Sequence, residues 1–270
     1  MTDEERALHE LKGKIHRDRG FNCHFYKDKC LRRRIAVRMR ARGEASFEGY
    51  AGLLDRDPSE YEVLLDALTI NVTKFFRNPE VWAALRENVI PALFASPARP
   101  KRIWSAGCAS GEEAYSLAIL LREHAEEHCL EAELGDFRIL GTDIDRRSLD
   151  IARRGEYTDL SLVETPPALT ERWFSPGPRF RLADRVREGV DFRNLDLISG
   201  EPEREQALIV CRNVIIYFDR EIQEKLFQRF YDSLLPGGFL VLGKVETLLG
   251  PARSMLRAVN NRERIFRKPE

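Results

Sequence analysis

From Arg102 onward, short apolar runs alternate with amphipathic helical stretches, and this alternation constrains the fold more than any other feature of the chain. Arg102-Ile103-Trp104-Ser105 precedes a helical pattern over 112–127, and Phe137-Arg138-Ile139-Leu140 precedes one over 146–154. Ala207-Leu208-Ile209-Val210 precedes a helix over 219–234, after which Gly237-Gly238 turns into Phe239-Leu240-Val241-Leu242. Strands that read as nearly continuous apolar runs are buried on both faces, which a parallel sheet covered by helices provides. The segment 157–188, rich in Pro, Arg and Thr, interrupts the rhythm and reads as a small insertion.

The preceding part of the chain has a different period. Helices are predicted at roughly 3–19, 28–42, 46–56, 58–70 and 78–95. Ser46 and Pro58 are residues that start helices and Gly43 one that stops them. Ser96-Pro97-Ala98-Arg99-Pro100 separates the helical part from the alternating part.

Composition narrows the class. With 270 residues and 43% hydrophobic content the chain can bury a core unaided. The five cysteines (Cys23, Cys30, Cys108, Cys129, Cys211) form no CxxC pair, so neither a disulfide framework nor a metal site is indicated. The charged start, MTDEERALHE, lacks a signal-peptide core, and no stretch approaches the roughly 18 apolar residues of a spanning helix. A cytoplasmic protein without membrane insertion is expected. Net charge is zero, yet residues 1–43 hold thirteen Lys or Arg against six Asp or Glu. A local basic excess on a neutral chain points to a restricted acidic partner surface.

The loop Ser105-Ala106-Gly107-Cys108-Ala109-Ser110-Gly111-Glu112-Glu113 joins the first strand to its helix and puts small residues where a backbone turns sharply beside a ligand. That marks a nucleotide site. A dinucleotide fingerprint would need glycine at 109 and 112, which are Ala and Glu, and two carboxylates there repel a pyrophosphate while suiting a cation or a ribose hydroxyl. The second run ends in Gly141-Thr142-Asp143-Ile144-Asp145, where an acidic residue can accept ribose hydroxyls or cap a helix.

Together with Thr69-Ile70-Asn71-Val72-Thr73-Lys74-Phe75-Phe76-Arg77 and Cys211-Arg212-Asn213-Val214-Ile215-Ile216-Tyr217-Phe218, these motifs make the chain resemble the CheR family of chemotaxis receptor methyltransferases over nearly its whole length. The resemblance implies a class I S-adenosylmethionine-dependent methyltransferase, a Rossmann-like doubly wound α/β sheet, with an all-α N-terminal domain and a small inserted β-subdomain. The implied division is a helical substrate-docking domain over 1–77, a helix and linker over 78–100, and a methyltransferase domain over 101–270 with 157–188 as the β-subdomain. It also implies cofactor contacts from Asn71, Thr73, Arg77, Gly107, Glu113 and Asp143, with Asp196 and Leu197 beside the adenine and Arg212 and Asn213 completing the pocket. At Asp196 many members carry Asn; an aspartate can still accept the adenine amino hydrogen.

The implied reaction is transfer of a methyl group from S-adenosylmethionine to glutamate side chains in the helical cytoplasmic region of chemoreceptors, leaving S-adenosylhomocysteine. A glutamate is already ionised at neutral pH, so positioning, not proton removal, is the task. Arg77 offers a fork for a carboxylate of cofactor or acceptor, and Tyr217 a hydroxyl that could orient the acceptor; Tyr217 could equally be a core aromatic. In the helix over 28–42, Leu31, Ile35 and Met39 form an apolar stripe with Arg34, Arg38 and Arg42 along one edge, while Lys29, Arg33 and Arg40 point away. The resemblance makes Arg34, Arg38 and Arg42 a docking edge for acidic receptor helices. A nucleic-acid partner would want interleaved aromatics, which are missing. His124 and His128 read as surface histidines, and Cys108 and Cys211 as small fillers. Two rivals stand beside this reading: a cofactor-binding receptor adaptor with little turnover, and a methyltransferase of another substrate class. The Arg212-Asn213-Val214-Ile215 run lacks the Asn/Asp-Pro-Pro-aromatic signature of enzymes that methylate base amino groups.

Overall fold

The computed structural model describes residues 2–69 and 72–270. Contacts group Met1–Asn71 with Tyr217–Ile222 as one unit, and Val72–Ile216 with Gln223–Glu270 as a second. The boundary expected after Arg77 thus falls earlier in the structure, because 72–77 packs with the sheet-bearing unit: Phe75 and Phe76 are buried in its core.

The first unit is built from α1 (Asp3–Arg19), α2 (Asp28–Arg42), α3 (Phe47–Arg56) and α4 (Glu60–Leu68). Local chemistry sets these ends. Thr2 and Glu5 form a reciprocal capping box at the start of α1, Ser46 Oγ accepts the Gly49 amide at the start of α3, and Gly43 ends α2 in the left-handed conformation. Leu31, Ile35 and Met39 are buried as their spacing predicts, and so are Ile15, Tyr50 and Leu64 on the other three helices. The segment 217–222 joins this unit through a bridge between Tyr26 and Phe218 and a hydrogen bond from the Lys27 amide to the Tyr217 carbonyl, 2.9 Å.

In the second unit the helix expected over 78–95 is two helices, α5 (Pro79–Asn88) and α6 (Ile90–Ala95). Pro91 is the physical reason: it has no amide hydrogen to give the preceding turn, and its ring clashes with the carbonyl four residues back. The doubly wound sheet is present. Its strands are β1 (Lys101–Ala106), β2 (Phe137–Asp143), β3 (Val190–Asn194), β4 (Gln206–Cys211), β5 (Leu234–Leu242), β6 (Arg257–Asn260) and β7 (Ile265–Arg267). They lie in the order β3-β2-β1-β4-β5-β7-β6, parallel except that β7 runs antiparallel to both β5 and β6. Order reverses between β1 and β4, so the loops at the carboxyl ends of these strands form the crevice where such sheets bind ligands.

Helix α7 (Glu112–His128) follows β1, and α8 (Arg146–Arg154) follows β2. Between α8 and β3, three short strands, Glu156–Tyr157, Phe174–Ser175 and Phe180–Leu182, make an antiparallel sheet with the last in the middle. Trp173, Tyr157, Leu182 and Val186 bury its underside in the main core. The histidine reading holds for His128 alone: His124 is buried, with Phe94 4.9 Å away on one side and His128 4.1 Å away on the other. No described helix is long and apolar enough to cross a membrane.

Candidate functional site

The carboxyl ends of β1, β2 and β4 bring together Gly107, Glu113, Asp143, Arg212 and Asn213, with the segment 73–78 packed beside them. After β1 the chain turns across the end of β2, where the amides of Gly107 and Cys108 both donate to the Thr142 carbonyl, at 2.8 and 2.9 Å. Gly107 has φ of 80°, and a Cβ there would lie 2.5 Å from a methyl of Val214, so only glycine lets this loop pass the turn after β4. Asp143, at the end of β2, holds the loop from the other side: Oδ2 accepts the Ala109 amide at 2.8 Å and Oδ1 the Asp145 amide at 2.9 Å. A carboxylate has about four acceptor positions, and these amides, with that of Ile144, leave room for one hydroxyl. Burial pushes the Asp143 carboxyl above its ordinary range, and the amide donors pull it partly back.

The two glutamates that open α7 have separate employments. Glu112 is turned into protein, where it accepts the hydroxyls of Ser110 at 2.7 Å and Ser161 at 3.2 Å. Glu113 accepts Ser105 Oγ at 2.8 Å and lies 3.6 Å from an Arg212 guanidinium nitrogen. Burial raises the Glu113 carboxyl, with Arg212 and Ser105 offsetting only part of the effect. Arg212 is itself buried; its Nη2 donates to the Arg77 carbonyl at 2.8 Å and to Asn78 Oδ1 at 3.0 Å, while its Nε is buried with no hydrogen-bond partner among the described residues. An orphaned donor of this kind beside an incompletely neutralised carboxylate is what a polar ligand would complete.

Segment 73–78 is fixed by the β-subdomain. The Phe75 amide donates to the Ser161 carbonyl at 2.8 Å, and Glu164 accepts the Asn78 amide at 2.7 Å and Lys74 at 3.3 Å. Thr73 and Arg77 are half-buried, and the Arg77 guanidinium donates to the Val72 carbonyl at 2.9 Å. Four non-glycine residues around the site have left-handed backbones: Phe76 (51°), Asn78 (60°), Ala109 (47°) and Asn213 (63°). Each costs about 1–3 kcal/mol, and such strain collects where the surroundings over-determine a functional geometry.

Not every residue singled out from the sequence joins this group. Asn71 lies outside the described residues. Leu197 is buried, but both Asp196 oxygens serve their own turn, one accepting the Ile198 amide at 2.9 Å and the other Ser199 Oγ at 2.6 Å. Tyr217 groups with the first unit, its ring 5.3 Å beneath the Arg34 guanidinium. The edge Arg34, Arg38, Arg42 also has work within that unit. Arg34 donates to the Ala67 and Leu68 carbonyls at the end of α4, at 3.3 and 2.6 Å. Arg38 forks onto buried Glu60 with two bonds of 2.9 Å, and Arg42 reaches Glu60 at 3.2 Å and Asp57 at 2.8 Å. The cations left outward on α2 are Lys29, Arg33 and Arg40, with Val37 between them, 49% exposed. Cys108 and Cys211 are buried, and burial holds both thiols well above their ordinary range, which removes them as nucleophiles. Glu164 and Glu246 serve the site without any motif: each touches its loop only through long-range folding.

These residues fit S-adenosylmethionine, whose sulfonium, ammonium and ribose hydroxyls suit carboxylates such as Glu113 and Asp143 and whose carboxylate suits a donor such as the orphaned Arg212 Nε. Comparison with known proteins gives the same assignment. Residues 71–265 match the family described as CheR methyltransferase, SAM binding domain, and residues 6–69 match CheR methyltransferase, all-alpha domain. The chain is 34% identical over 249 residues to the chemotaxis protein methyltransferase of Listeria innocua serovar 6a, covering 92% of each. It is 33% identical over 261 residues to chemotaxis protein methyltransferase 2 of Pseudomonas aeruginosa, covering 93% of this chain and 89% of the relative. With the corresponding protein of Borreliella burgdorferi it shares 29% identity over 246 residues, 87% of this chain and 86% of the relative. With one domain model matching its helical part, another its sheet, and relatives aligned nearly end to end, the chain belongs to the CheR family of S-adenosylmethionine-dependent methyltransferases.

Proposed function

We propose that this methyltransferase esterifies glutamate side chains on the helical cytoplasmic region of chemoreceptors, in the cytoplasm. The observation that supports it is the lack of any free base in the described site: Glu112 and Asp143 are held by hydroxyls or amides, Glu113 by Ser105 and Arg212, and both nearby cysteines are buried as thiols. A site without a base suits an acceptor that is already an anion, and a carboxylate is one at neutral pH. The cofactor supplies an electrophilic methyl group on a sulfonium, which the carboxylate oxygen displaces to give the ester and S-adenosylhomocysteine.

What the protein contributes is alignment and exclusion of water, and holding oxygen, carbon and sulfur in line is worth roughly 7–11 kcal/mol. Glu113, Asp143, Thr73 and Asn71 bind the cofactor's polar groups, Gly107 gives it backbone access, and Asp196 and Leu197 border the adenine. Arg77, Arg212 and Asn213 orient carboxylate and amide-facing groups, and Tyr217 steers the acceptor oxygen. Docking rests on the outward face of α2, where Lys29, Arg33, Val37 and Arg40 follow one another at i, i+4, i+8 and i+11. Arg34, Arg38 and Arg42 brace that helix from beneath and complete its positive edge.

Incubation with methyl-labelled cofactor and a receptor cytoplasmic fragment tests this reading. The expected product carries label that base releases as methanol, and exchange of Lys29, Arg33 and Arg40 for Glu raises KM for the fragment roughly tenfold at low salt while kcat holds. Label that survives base treatment would move the chemistry to nitrogen or another acceptor and overturn the proposal.

A further inference from the structure

We propose that Glu246 is a positioning residue of this site: its buried carboxylate clamps the turn after β4 and so fixes Arg212 and Asn213 where the cofactor is received. The proposal rests on the methyltransferase reading and deepens it. β4 and β5 are neighbours in the sheet, Cys211 paired in register with Leu242, so the loops that leave their ends start side by side. Glu246 sits on the loop after β5 and reaches across. Its Oε1 accepts the amides of Val214 at 3.0 Å and Ile215 at 2.9 Å; its Oε2 accepts Asn213 at 3.1 Å and Gly243 at 2.6 Å. Four backbone donors fill the carboxylate's acceptor capacity, and three of them come from consecutive residues.

The geometry that results is not one the turn would choose alone. Asn213 is held left-handed, and the Val214 side chain is pressed so close to Gly107 that a single added carbon there would overlap it. One residue earlier, Arg212 touches Glu113, the Arg77 carbonyl and Asn78. Displacement of this turn therefore disturbs the glycine loop, the 73–78 segment and the ligand-facing guanidinium together. Burial pushes the Glu246 carboxyl up, with the amides pulling it partly back, so the clamp holds a charge out of water at a cost that its four amide partners offset. Gly243 leaves room for it: a Cβ there would lie 2.9 Å from both the Asn213 nitrogen and Glu246 Oε2.

The test measures S-adenosylhomocysteine binding by calorimetry, and methyl transfer to a receptor fragment, in the full chain. Glu246→Gln keeps the size but sets an amide donor against two of the four N–H groups. Affinity is expected to fall roughly tenfold, the effect of unsatisfied buried donors, and kcat roughly a hundredfold, as for a misplacement of about 1 Å. KM for the receptor fragment is expected to hold, and the roughly tenfold weaker nucleoside affinity is the change that loss of folded protein would not produce, since unfolding lowers apparent kcat and binding stoichiometry but leaves the Kd of the folded fraction unchanged. Gly243→Ala, which wedges the clamp open from its other side, is expected to give the same losses, the double variant to be no worse than either single one, and Glu246→Asp to recover part of the affinity. A folded Glu246→Gln protein with wild-type affinity and rate overturns the proposal; if that variant does not fold, a folded Gly243→Ala protein that binds and turns over like wild type does so. A wild-type chain that binds the nucleoside but transfers no methyl group would refute the enzymatic reading while the affinity comparison still decides Glu246; one that does not bind it refutes both.

Discussion

Each unit of this protein buries a glutamate against arginines, and the two arrangements end in opposite electrostatic states. In the helical unit, Glu60 receives two bonds from Arg38, one from Arg42 and one from Tyr50 at 2.8 Å. Burial alone would raise its pKa, but those partners together outweigh burial and hold it below the ordinary value. In the methyltransferase unit, Glu113 has Arg212 at 3.6 Å and one serine hydroxyl, and burial wins. A complete set of partners makes a brace for three helices, α2, α3 and α4. An incomplete one leaves a polarised pair that a ligand can finish, which is how a binding site differs from a strut made of the same residue types.

The largest expected effect breaks the strut. Glu60→Ala leaves Arg38, Arg42 and Tyr50 without their shared partner and should destabilise the helical unit by about 3 kcal/mol, the lower end for an opened buried pair because the arginines are partly exposed. Denaturant titration and hydrogen exchange over residues 28–68 measure it. Next is Arg212→Ala, which should weaken S-adenosylhomocysteine binding by about 2 kcal/mol, as loss of hydrogen bonds to charged groups does, while changing stability less than Glu60→Ala. Equal losses of stability in the two variants would erase the distinction.

The pH dependence sharpens it. Glu60 has a depressed pKa, so its stabilisation is present above the unfolded value of 4.5 and is lost as pH falls through the folded value. Glu112 and Glu113 have raised values, so the folded state holds their protons more tightly; their unit is favoured below 4.5 and loses stability as pH rises through the folded values. Glu112→Gln keeps the bonds to the Ser110 and Ser161 hydroxyls without the charge, and should raise Tm at neutral pH by roughly 2–4 °C while flattening that upper slope. Calorimetric scans from pH 4 to 8 read both. The smallest effect belongs to a solvated pair: Arg86 and Glu127 meet at 2.7 Å but are each about half exposed, so Arg86→Ala should change stability by under about 0.5 kcal/mol.

Much of this architecture is written locally and so could be read from the chain. The strands β1, β2, β4 and β5 announce themselves because they are apolar on both faces, and α1 to α4 because caps and a buried stripe mark them. β6 escaped notice because nearly all of its residues face solvent, and β3 because its outer residues are polar. Gly107, Glu113, Asp143 and Arg212 converge in the structure as their motifs suggested. Glu164 and Glu246 did not show themselves, since their partners lie 86 and about 32 residues away and no spacing rule reaches that far. The arginine edge of α2 shows what periodicity leaves out: it placed the edge on one side of the helix, but only the fold brings Glu60 and the α4 carbonyls beneath it.

The six residues Tyr217–Ile222 give this protein an unusual genealogy of parts. A hybrid that takes residues 1–71 from a relative would inherit Tyr26 from one parent and Phe218 from the other, although the two are partners in a bridge. Transplanting the helical unit must therefore carry a discontinuous cassette, the leading helices plus that hexapeptide, and shuffling at a single crossover near Asn71 would yield chimaeras mismatched at a seam far along the chain.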